Sequence, residues 1–186
     1  MPRTSPFILR QATEADFDDI LTLQSLNTPD HLDASARQQG YIVSRMDHRQ
    51  LDVINRQLGI LVAVHDGELA GFVCLMPPDA RPRPAVVDVM LEAANGQTLG
   101  QDHLSELRTF LYGPVCIAAA FRGRGLLKLL YNAVKTHLRG TYDAGLAFIA
   151  EDNPRSLAAH VQGLGMHDIV RFRCADKMYH LVAFRI

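Results

Sequence analysis

A glycine-rich turn between an apolar strand and a helix is the feature of this sequence best suited to chemistry. Residues 115–119 form an apolar run, Gly123-Arg124-Gly125 follows, and an amphipathic helix begins directly afterwards. Backbone N–H groups in such a turn point outward at the positive end of the helix dipole, and the missing side chains let an anion come close. Arg122, Arg124 and Lys128 would add positive charge. The pattern favours a phosphate cradle, although a tight turn with solvated basic residues has the same spacing.

The same residues exclude two familiar phosphate-binding motifs. A P-loop requires Gly-Lys followed by Ser or Thr, and the chain contains no such tripeptide. A dinucleotide-binding fingerprint requires a third glycine, whereas Leu126-Leu127-Lys128 follows Gly125. The sequence therefore fits neither a nucleoside triphosphatase nor a Rossmann enzyme.

The cysteines, histidines and serines do not form a recognisable catalytic or metal site. Cys74, Cys116 and Cys174 are far apart and none belongs to a C-x-x-C pair, so we expect reduced thiols and no bound metal. The eight histidines include no H-E-x-x-H motif, and no serine lies in a G-x-S-x-G motif. Cys116 lies in an apolar strand with no neighbouring base, which favours packing over nucleophilic catalysis.

Three acidic residues in and beside the central segment are candidates for binding a cationic amine. They are Asp88, Glu92 and Glu106. A carboxylate is a suitable partner for an ammonium group, but acidic residues are also ordinary components of a solvated surface.

The composition limits the classes of function. The chain has 186 residues, of which 48% are hydrophobic, enough for one domain spanning residues 1–186 and too few for two. With 19 basic and 20 acidic residues the formal charge is -1, so nucleic acids and anionic membranes are disfavoured as partners. No apolar run approaches the ~20 residues of a membrane span, and the first residues lack the pattern of a signal peptide. We therefore expect a soluble, cytoplasmic protein.

Local patterns predict a mixed α/β fold with one sheet. Residues 13–16 have the form of a capping box before the first helix, and Asp66-Gly67 is typical of a hairpin turn. Gly113-Pro114 interrupts an apolar strand, which must be bulged or unpaired there because proline cannot donate to a ladder. The predicted strands are 7–10, 60–64, 69–76, 107–119, 144–150 and two within 168–186; the predicted helices are one ending before residue 28, two short ones within 33–57, and 85–94, 126–138 and 154–162.

Two segments resemble motifs of the GCN5-related N-acetyltransferases. Residues 121–127 resemble their acetyl-CoA pyrophosphate loop, Q/R-x-x-G-x-G/A, with Arg122, Gly125 and Leu127 at the marked positions. Residues 153–166 are similar to their second motif, in which an Asn opens a helix that ends in a Leu-Gly-Phe-like turn. The opening strand and the first hairpin are also typical of the family, so the resemblance covers nearly the whole chain.

Two positions and the length of one segment depart from the family pattern. Leu127 stands in place of a small residue, and His160 stands where many members have a tyrosine. The segment 161–165 is one residue longer than usual, which predicts a different end to the preceding helix.

The resemblance implies both a fold and a binding site. The fold is α/β (α+β), with a single mixed, mostly antiparallel sheet flanked by helices. Its central parallel strands, 115–119 and 144–150, splay apart around the pantetheine arm of acetyl-CoA. The cofactor-binding residues that it implies are Cys116, Ile117, Ala118, Arg122, Gly123, Arg124, Gly125, Leu126, Leu127, Asn153 and Ser156.

His160 takes the position of the acid that would protonate the departing thiolate. A histidine with a pKa of about 6.5 can donate a proton at neutral pH, and Ser156 would lie on the same helix face four residues earlier. A half-buried histidine that packs the helix against the sheet is the alternative.

The function implied is an acetyl-CoA-dependent N-acetyltransferase. It would act on a primary amine of a small molecule or a peptide by direct attack, with no covalent enzyme intermediate. We expect the acceptor to be selected by the region up to residue 57 and by residues 77–106. An acyl-CoA-binding sensor of the same fold and a nucleotide-binding regulator are the alternatives. The two-strand tail, 168–186, offers an edge for a homodimer.

Overall fold

The computed structural model, which describes residues 6–38 and 40–186, is a mixed α/β fold. Its elements are β1 (Ile8–Gln11), α1 (Phe17–Leu26), α2 (Ala34–Arg37), α3 (His48–Gln57), β2 (Ile60–His65), β3 (Glu68–Met76), α4 (Ala85–Ala94), β4 (Thr98–Leu99), β5 (Asp102–His103), β6 (Thr109–Ile117), α5 (Leu126–Leu138), β7 (Ala144–Ala150), α6 (Pro154–Ala158), β8 (His167–Cys174) and β9 (Lys177–Arg185). Seven strands form one sheet in the order β1-β2-β3-β6-β7-β9-β8, and β4 and β5 form a separate hairpin.

The pairing of the large sheet confirms the predicted fold class. Every neighbouring pair is antiparallel except β6 and β7, which are parallel. The bounds of α4, α5 and β7 are those predicted, whereas β6 is shorter than its predicted range of 107–119. Short 3-10 turns at residues 104–106 and 119–121 flank it. Across the described ranges, no helix is both long and apolar enough to cross a membrane.

Polar contacts around Asp16 fix the start of the first helical segment. Its carboxylate accepts hydrogen bonds from the backbone N–H of Thr13 at 2.7 Å and from Nη1 of Arg10 at 2.7 Å. The bond from Arg10 is the main reason that the pKa of Asp16 falls to about 2. The carboxylate half of the predicted capping box is thereby confirmed, and α1 continues with Phe17 and Ile20 buried.

The parallel strands β6 and β7 separate after a short paired stretch. Residues 109–111 of β6 pair with residues 144–146 of β7, and the pairing ends there. On its other edge β6 has a bulge, because Tyr112 pairs with Leu75 while Val115 pairs with Val73. The extra residue lies at Gly113-Pro114, where the sequence predicts an irregularity. The facing edges of β6 and β7 beyond residue 111 therefore enclose a gap in the sheet.

Gly145 allows the sheet to pack tightly below this gap. A Cβ at this position would lie 2.4 Å from the ring of Phe184 and 2.8 Å from that of Phe110. These two rings meet edge to face with their centroids 5.8 Å apart. The missing side chain of Gly145 makes room for this contact.

Helices cover both faces of the sheet near the gap. On one face α5 buries Leu126, Leu130 and Val134 in the main core. On the other face α4 buries Val87 and Met90 in a second cluster. The segment 77–106 therefore supplies the helix that covers the opposite face of the sheet.

The helix after β7 changes its winding. The sequence predicts a regular helix over 154–162, but α6 has five residues and the chain continues as a π turn, Ala159–Gly163. A π turn takes one more residue per hydrogen-bonded loop than an α-helix. It thus accommodates the additional residue that distinguishes this segment from the family pattern.

Candidate functional site

Two adjacent chambers occupy the gap between β6 and β7 and its surroundings. The larger has a volume of about 390 Å³ and extends to the start of α5. The smaller has a volume of about 110 Å³ and reaches the side covered by α4. Five residues line both chambers and mark their junction: Tyr41, Ile42, Val115, Ser156 and His160. Because they share these residues, the two chambers are adjacent, and we refer to them together as the channel.

The glycine turn forms the outer end of the larger chamber. Gly123 and Gly125 have φ of 73° and 76°, the left-handed region that favours glycine. A Cβ on either would meet no described atom within 4 Å, so the space above the turn is open. The N–H of Leu129 donates to the carbonyl of Gly125 at 3.2 Å, which is the first backbone hydrogen bond of α5. The N–H groups of residues 126–128 therefore have no acceptor within the helix. The turn has the form of the predicted anion cradle.

Arg122 lines the larger chamber but is held by the protein rather than left free for an anion. Its Nη2 donates to Oδ1 of Asn27 at 2.6 Å, and its Nε donates to the carbonyl of Ile117 at 3.2 Å. The side chain thus joins the end of β6 to the residue after α1. Arg122 therefore fixes the chamber wall, and its expected role as a phosphate ligand stays a prediction.

Arg124 does not line either chamber. Its guanidinium lies over the ring of Phe7 at 5.1 Å and that of Phe121 at 5.3 Å, and its Nη2 lies 3.2 Å from Nε2 of His65. The expectation that Arg124 binds the cofactor is not supported by this placement. The basic side chains that do line the larger chamber, besides Arg122, are those of Lys128 and Arg155, and the latter was not predicted.

The end of β6 lies along the larger chamber as predicted, with one exception. Cys116 and Ile117 line it, whereas Ala118 does not, and the N–H of Ala118 donates to the carbonyl of Ala70 at 2.9 Å. Burial raises the pKa of the Cys116 thiol to about 12, so the thiol is protonated at neutral pH.

The helix-start residues of α5 and α6 contribute differently to the channel. Leu126 and Leu127 line the larger chamber at the glycine turn, although the side chain of Leu126 is buried in the core. Ser156 lines both chambers. Asn153, which precedes α6, lines the smaller chamber.

Asn153 has a buried polar atom that the described protein does not satisfy. The residue is 4% exposed, and its Nδ2 donates to the carbonyl of Tyr41 at 2.8 Å. Its Oδ1 is buried with no hydrogen-bond partner among the described residues, and the side chain makes no capping bond to α6. An Asn at the start of a helix is often its cap, but the side chain of Asn153 does not cap α6. Its Oδ1 is therefore available at the smaller chamber to accept a hydrogen bond from a ligand or a water molecule.

His160 lies at the junction of the chambers and is 5% exposed. Its Nδ1 is 2.7 Å from the carbonyl oxygen of Ser156 and 3.5 Å from the Ser156 hydroxyl, which confirms that the two residues share a helix face. Burial lowers the pKa of the imidazole below its usual 6.5, and the bond to Ser156 offsets this only in part. The sequence predicts a proton donor with an ordinary histidine pKa. The structure instead contains a buried imidazole whose pKa is lowered.

The three acidic candidates lie outside the channel. Asp88 accepts a hydrogen bond from Nε of Arg83 at 2.9 Å and is 3.7 Å from Nη2 of Arg81. Glu92 and Glu106 are exposed and line neither chamber. Proximity in sequence to the variable segment did not place them at the site.

The loop formed by residues 40–46 covers the junction. The sequence indicates this region only as part of the segment up to residue 57 and singles out none of its residues. The Tyr41 hydroxyl donates to the carboxylate of Asp152, and the N–H of Ile42 donates to the carbonyl of Asn27 at 2.9 Å. The burial of Tyr41 and its bond to Asp152 raise its pKa. The contact between Tyr41 and Asp152 joins segments 111 residues apart, so no local pattern could have identified it.

Tyr112 is a further residue of the site that the sequence did not indicate. It lines the smaller chamber, and its hydroxyl is buried without a partner in the described part of the chain. Its ring lies edge to face with that of His160, with the centroids 6.0 Å apart. Burial raises the pKa of the phenol, so it is a neutral donor at physiological pH.

Comparison with known proteins gives one family match. The sequence matches the model of the acetyltransferase (GNAT) family over residues 20–166. A search of curated proteins finds no match for the chain.

Solved structures of acetyltransferases have a similar fold along their whole length. A GNAT-family acetyltransferase from Streptococcus agalactiae superposes with a TM-score of 0.68 at 16% identity, covering 98% of this chain and 97% of that one. NAA60 from Arabidopsis thaliana, solved with acetyl-CoA, gives 0.66 at 12% identity, covering 97% and 99%. Ribosomal-protein-alanine N-acetyltransferase from Brucella melitensis gives 0.64 at 17% identity, covering 96% and 99%. At these identities the likeness is one of fold.

Proposed function

Because the chain belongs to the acetyltransferase (GNAT) family, we propose that it transfers an acetyl group from acetyl-CoA directly to a primary amine of a small molecule or a peptide. The observation that carries the proposal is the channel between the parted strands, which joins an anion cradle to a second chamber. We propose a cytoplasmic location, where its three free cysteines stay reduced.

The residues of the larger chamber fit the groups that acetyl-CoA would bring. The free N–H groups of residues 126–128, with Lys128 and Arg155, suit the negative charge of a pyrophosphate. The unpaired edge of β6 suits the amide groups of a pantetheine arm. The orphaned Oδ1 of Asn153 lies in the smaller chamber, and Nδ2 of the same residue donates to the carbonyl of Tyr41 at the junction, so Oδ1 suits the last amide of an arm that reaches the junction. This match between unsatisfied protein groups and the ligand supports acetyl-CoA as the donor.

Acetyl-CoA supplies a thioester whose C–S bond breaks as the new N–C bond forms. The chain's own contribution is to hold the reactants in place and to move one proton. Since Nδ1 of His160 donates to Ser156, its Nε2 carries the free lone pair and can accept the proton that the amine loses. The resulting imidazolium can then give this proton to the departing thiolate. A pKa lowered by burial suits a group that must release its proton again.

No covalent enzyme intermediate is part of this proposal. The only cysteine of the described residues that lines the channel is Cys116, and its raised pKa of about 12 leaves little thiolate at neutral pH. Direct transfer therefore agrees better with the chemistry of the site than a two-step mechanism.

The test is the release of free CoA thiol from acetyl-CoA in the presence of a panel of primary amines. Amine-dependent release, with the acetylated amine identified by mass spectrometry, would support the proposal. Tight binding of acetyl-CoA without release for any amine would favour the alternative, a sensor of the cofactor. Protection from thermal unfolding by ATP or NAD but not by CoA would contradict both and indicate a nucleotide-binding protein.

A further inference from the structure

We propose that the acceptor is a primary amine on a small apolar group, which the smaller chamber binds in its uncharged form, and that polycationic amines are poor substrates. This inference rests on the proposed function, because it concerns the second substrate of the same site.

The lining of the smaller chamber is the first observation. Among its described lining residues, 21 in all, none is Asp, Glu, Lys or Arg. Most of the lining side chains are apolar, and they include Val43 from the covering loop, Met76 from β3, Val87 and Met90 from α4, Leu111 from β6 and Phe148 from β7. The chamber therefore offers contact area to an apolar group and no fixed opposite charge to an ammonium.

Two acidic residues that are adjacent in sequence to lining residues are engaged elsewhere. Asp152 accepts the hydroxyl of Tyr41 and lies 3.7 Å from Lys177, and Asp88 is paired with Arg83. The titratable side chains that do line the chamber are Tyr41, Tyr112 and His160. The two phenols have raised pKa values and the imidazole a lowered one, so all three are neutral at physiological pH.

Desolvation decides which form of an amine can enter. Burying an ammonium without a carboxylate partner is costly, and a buried amine loses its proton instead. An apolar cavity of about 150 Å³ holds one benzene molecule. At about 110 Å³, the smaller chamber suits an alkyl or aryl group of modest size rather than a long charged chain.

The arrangement of the two chambers assigns this one to the amine rather than to a long acyl chain. The anion cradle is at the far end of the larger chamber, so the donor occupies that side and its thioester reaches the junction at His160. The acceptor must approach the junction from the other side. The smaller chamber opens there.

Pentylamine and cadaverine form a matched pair for the test, because they have the same carbon chain and differ by a second ammonium group. We expect kcat/KM for acetyl transfer to favour pentylamine by at least about tenfold. We also expect kcat/KM for a series of apolar amines to rise with pH according to the pKa of each amine. Equal or better use of cadaverine would overturn the proposal.

A charge introduced at the chamber tests the reason for the preference. Val43 lines the chamber and is 37% exposed, so Val43→Glu adds a carboxylate without burying it fully. Val53 on α3 is 38% exposed and lines neither chamber, which makes Val53→Glu a matched control. Val43→Glu should reduce the preference for pentylamine several-fold, and Val53→Glu should not. The same preference in both variants would contradict the proposal.

Binding separates this inference from the proposed function. Calorimetry with the protein saturated with CoA should detect binding of pentylamine and at least about tenfold weaker binding of cadaverine. This result would support the acceptor class even if no acetyl transfer occurred, in which case the proposed function alone would fail. If neither amine binds, or if cadaverine binds as tightly, the inference is overturned.

Discussion

Nδ1 of His160 lies 2.7 Å from the carbonyl oxygen of Ser156. A carbonyl oxygen can only accept a hydrogen bond, so Nδ1 carries the proton and Nε2 presents a lone pair. The imidazole is buried at the junction of the two chambers, where desolvation lowers its pKa below 6.5. The relationship defines a neutral imidazole of one tautomer, with consequences for both stability and turnover.

The first prediction is that His160 makes stability depend on pH below about 6.5. The unfolded chain binds a proton there while the folded chain does not, so the free energy of unfolding should decrease as pH falls toward the lowered pKa. Urea unfolding between pH 5 and 8 would measure the slope, and His160→Phe should make it smaller. Above pH 7 the difference between the two proteins should be constant, which provides an internal control. Identical slopes in the parent and the variant would refute the prediction.

The second prediction is that turnover needs a proton acceptor at position 160. His160→Phe retains the bulk of the ring and should lower kcat by about ten- to a hundredfold, the low end of general acid–base catalysis. His160→Tyr should not restore it, because a neutral phenol accepts a proton poorly. Restored activity in His160→Tyr would instead identify the position as a proton donor. Equal kcat in the parent and His160→Phe from pH 6 to 9 would leave His160 a packing residue.

The third prediction concerns the anion cradle. Gly125→Val should weaken CoA binding more than tenfold, since a branched side chain would occupy the open space above the first turn of α5. Gly96, just after α4, has the same φ of 76° and the same open surroundings but lines neither chamber. Gly96→Val should therefore carry a similar backbone strain of about 1–2 kcal/mol without any loss of CoA affinity. Thermal unfolding and calorimetry would measure the two effects separately. Equal CoA affinity of Gly125→Val and the parent would rule out the cradle.

The elements of the fold could be predicted where the signal is local. The predicted bounds of β7 and α5 agree with the observed ones. Both come from patterns that act over a few residues, namely the apolar run 144–150 and the helical spacing from Leu126 to Leu138. Proline at position 114 indicated the bulge for the same reason. The additional residue in 161–165 predicted a different end to the helix, but it did not determine how the winding changes, so the π turn itself was not predicted.

The parts of the site that depend on long-range contacts could not be predicted. The glycine turn follows from its own sequence, but the partners of Arg122 do not, because Asn27 lies 95 residues away. Arg124 is adjacent to both glycines and still points away from the chamber, where two aromatic rings hold it. The spacing of the glycines therefore predicts the cradle, but which basic side chains face it depends on contacts with distant parts of the chain.

The fourth prediction is that Cys116 has no covalent role. Burial keeps its thiol protonated, so Cys116→Ala should retain most of the parent turnover and lower stability by about 1 kcal/mol through the small cavity. Cys74 is also buried, in the neighbouring strand β3, and its thiol pKa is likewise raised. Cys74→Ala is therefore a matched control for the loss of packing. A turnover loss above about a hundredfold in Cys116→Ala alone, or an acetylated Cys116 peptide in mass spectra, would contradict direct transfer.

The last prediction separates two roles of Asn153. If the residue only capped α6, Asn153→Asp and Asn153→Ser would be as stable as the parent, because both types are good caps. In the structure Nδ2 instead donates to the carbonyl of Tyr41, and the Asp variant would place a buried carboxylate against that carbonyl. We therefore expect both variants to lose about 1–3 kcal/mol of unfolding free energy, the cost of an unpaired buried polar group.

Asn153→Ala tests the orphaned Oδ1 and should weaken CoA binding in addition. Tyr41→Phe is the control, since it removes the hydroxyl bond to Asp152 but keeps the carbonyl that accepts from Asn153. It should retain more CoA affinity than Asn153→Ala, as measured by calorimetry. If Asn153→Asp were as stable as the parent, the amide would not hold the loop at Tyr41. If Asn153→Ala also bound CoA as tightly as the parent, the amide would not be a ligand for acetyl-CoA either.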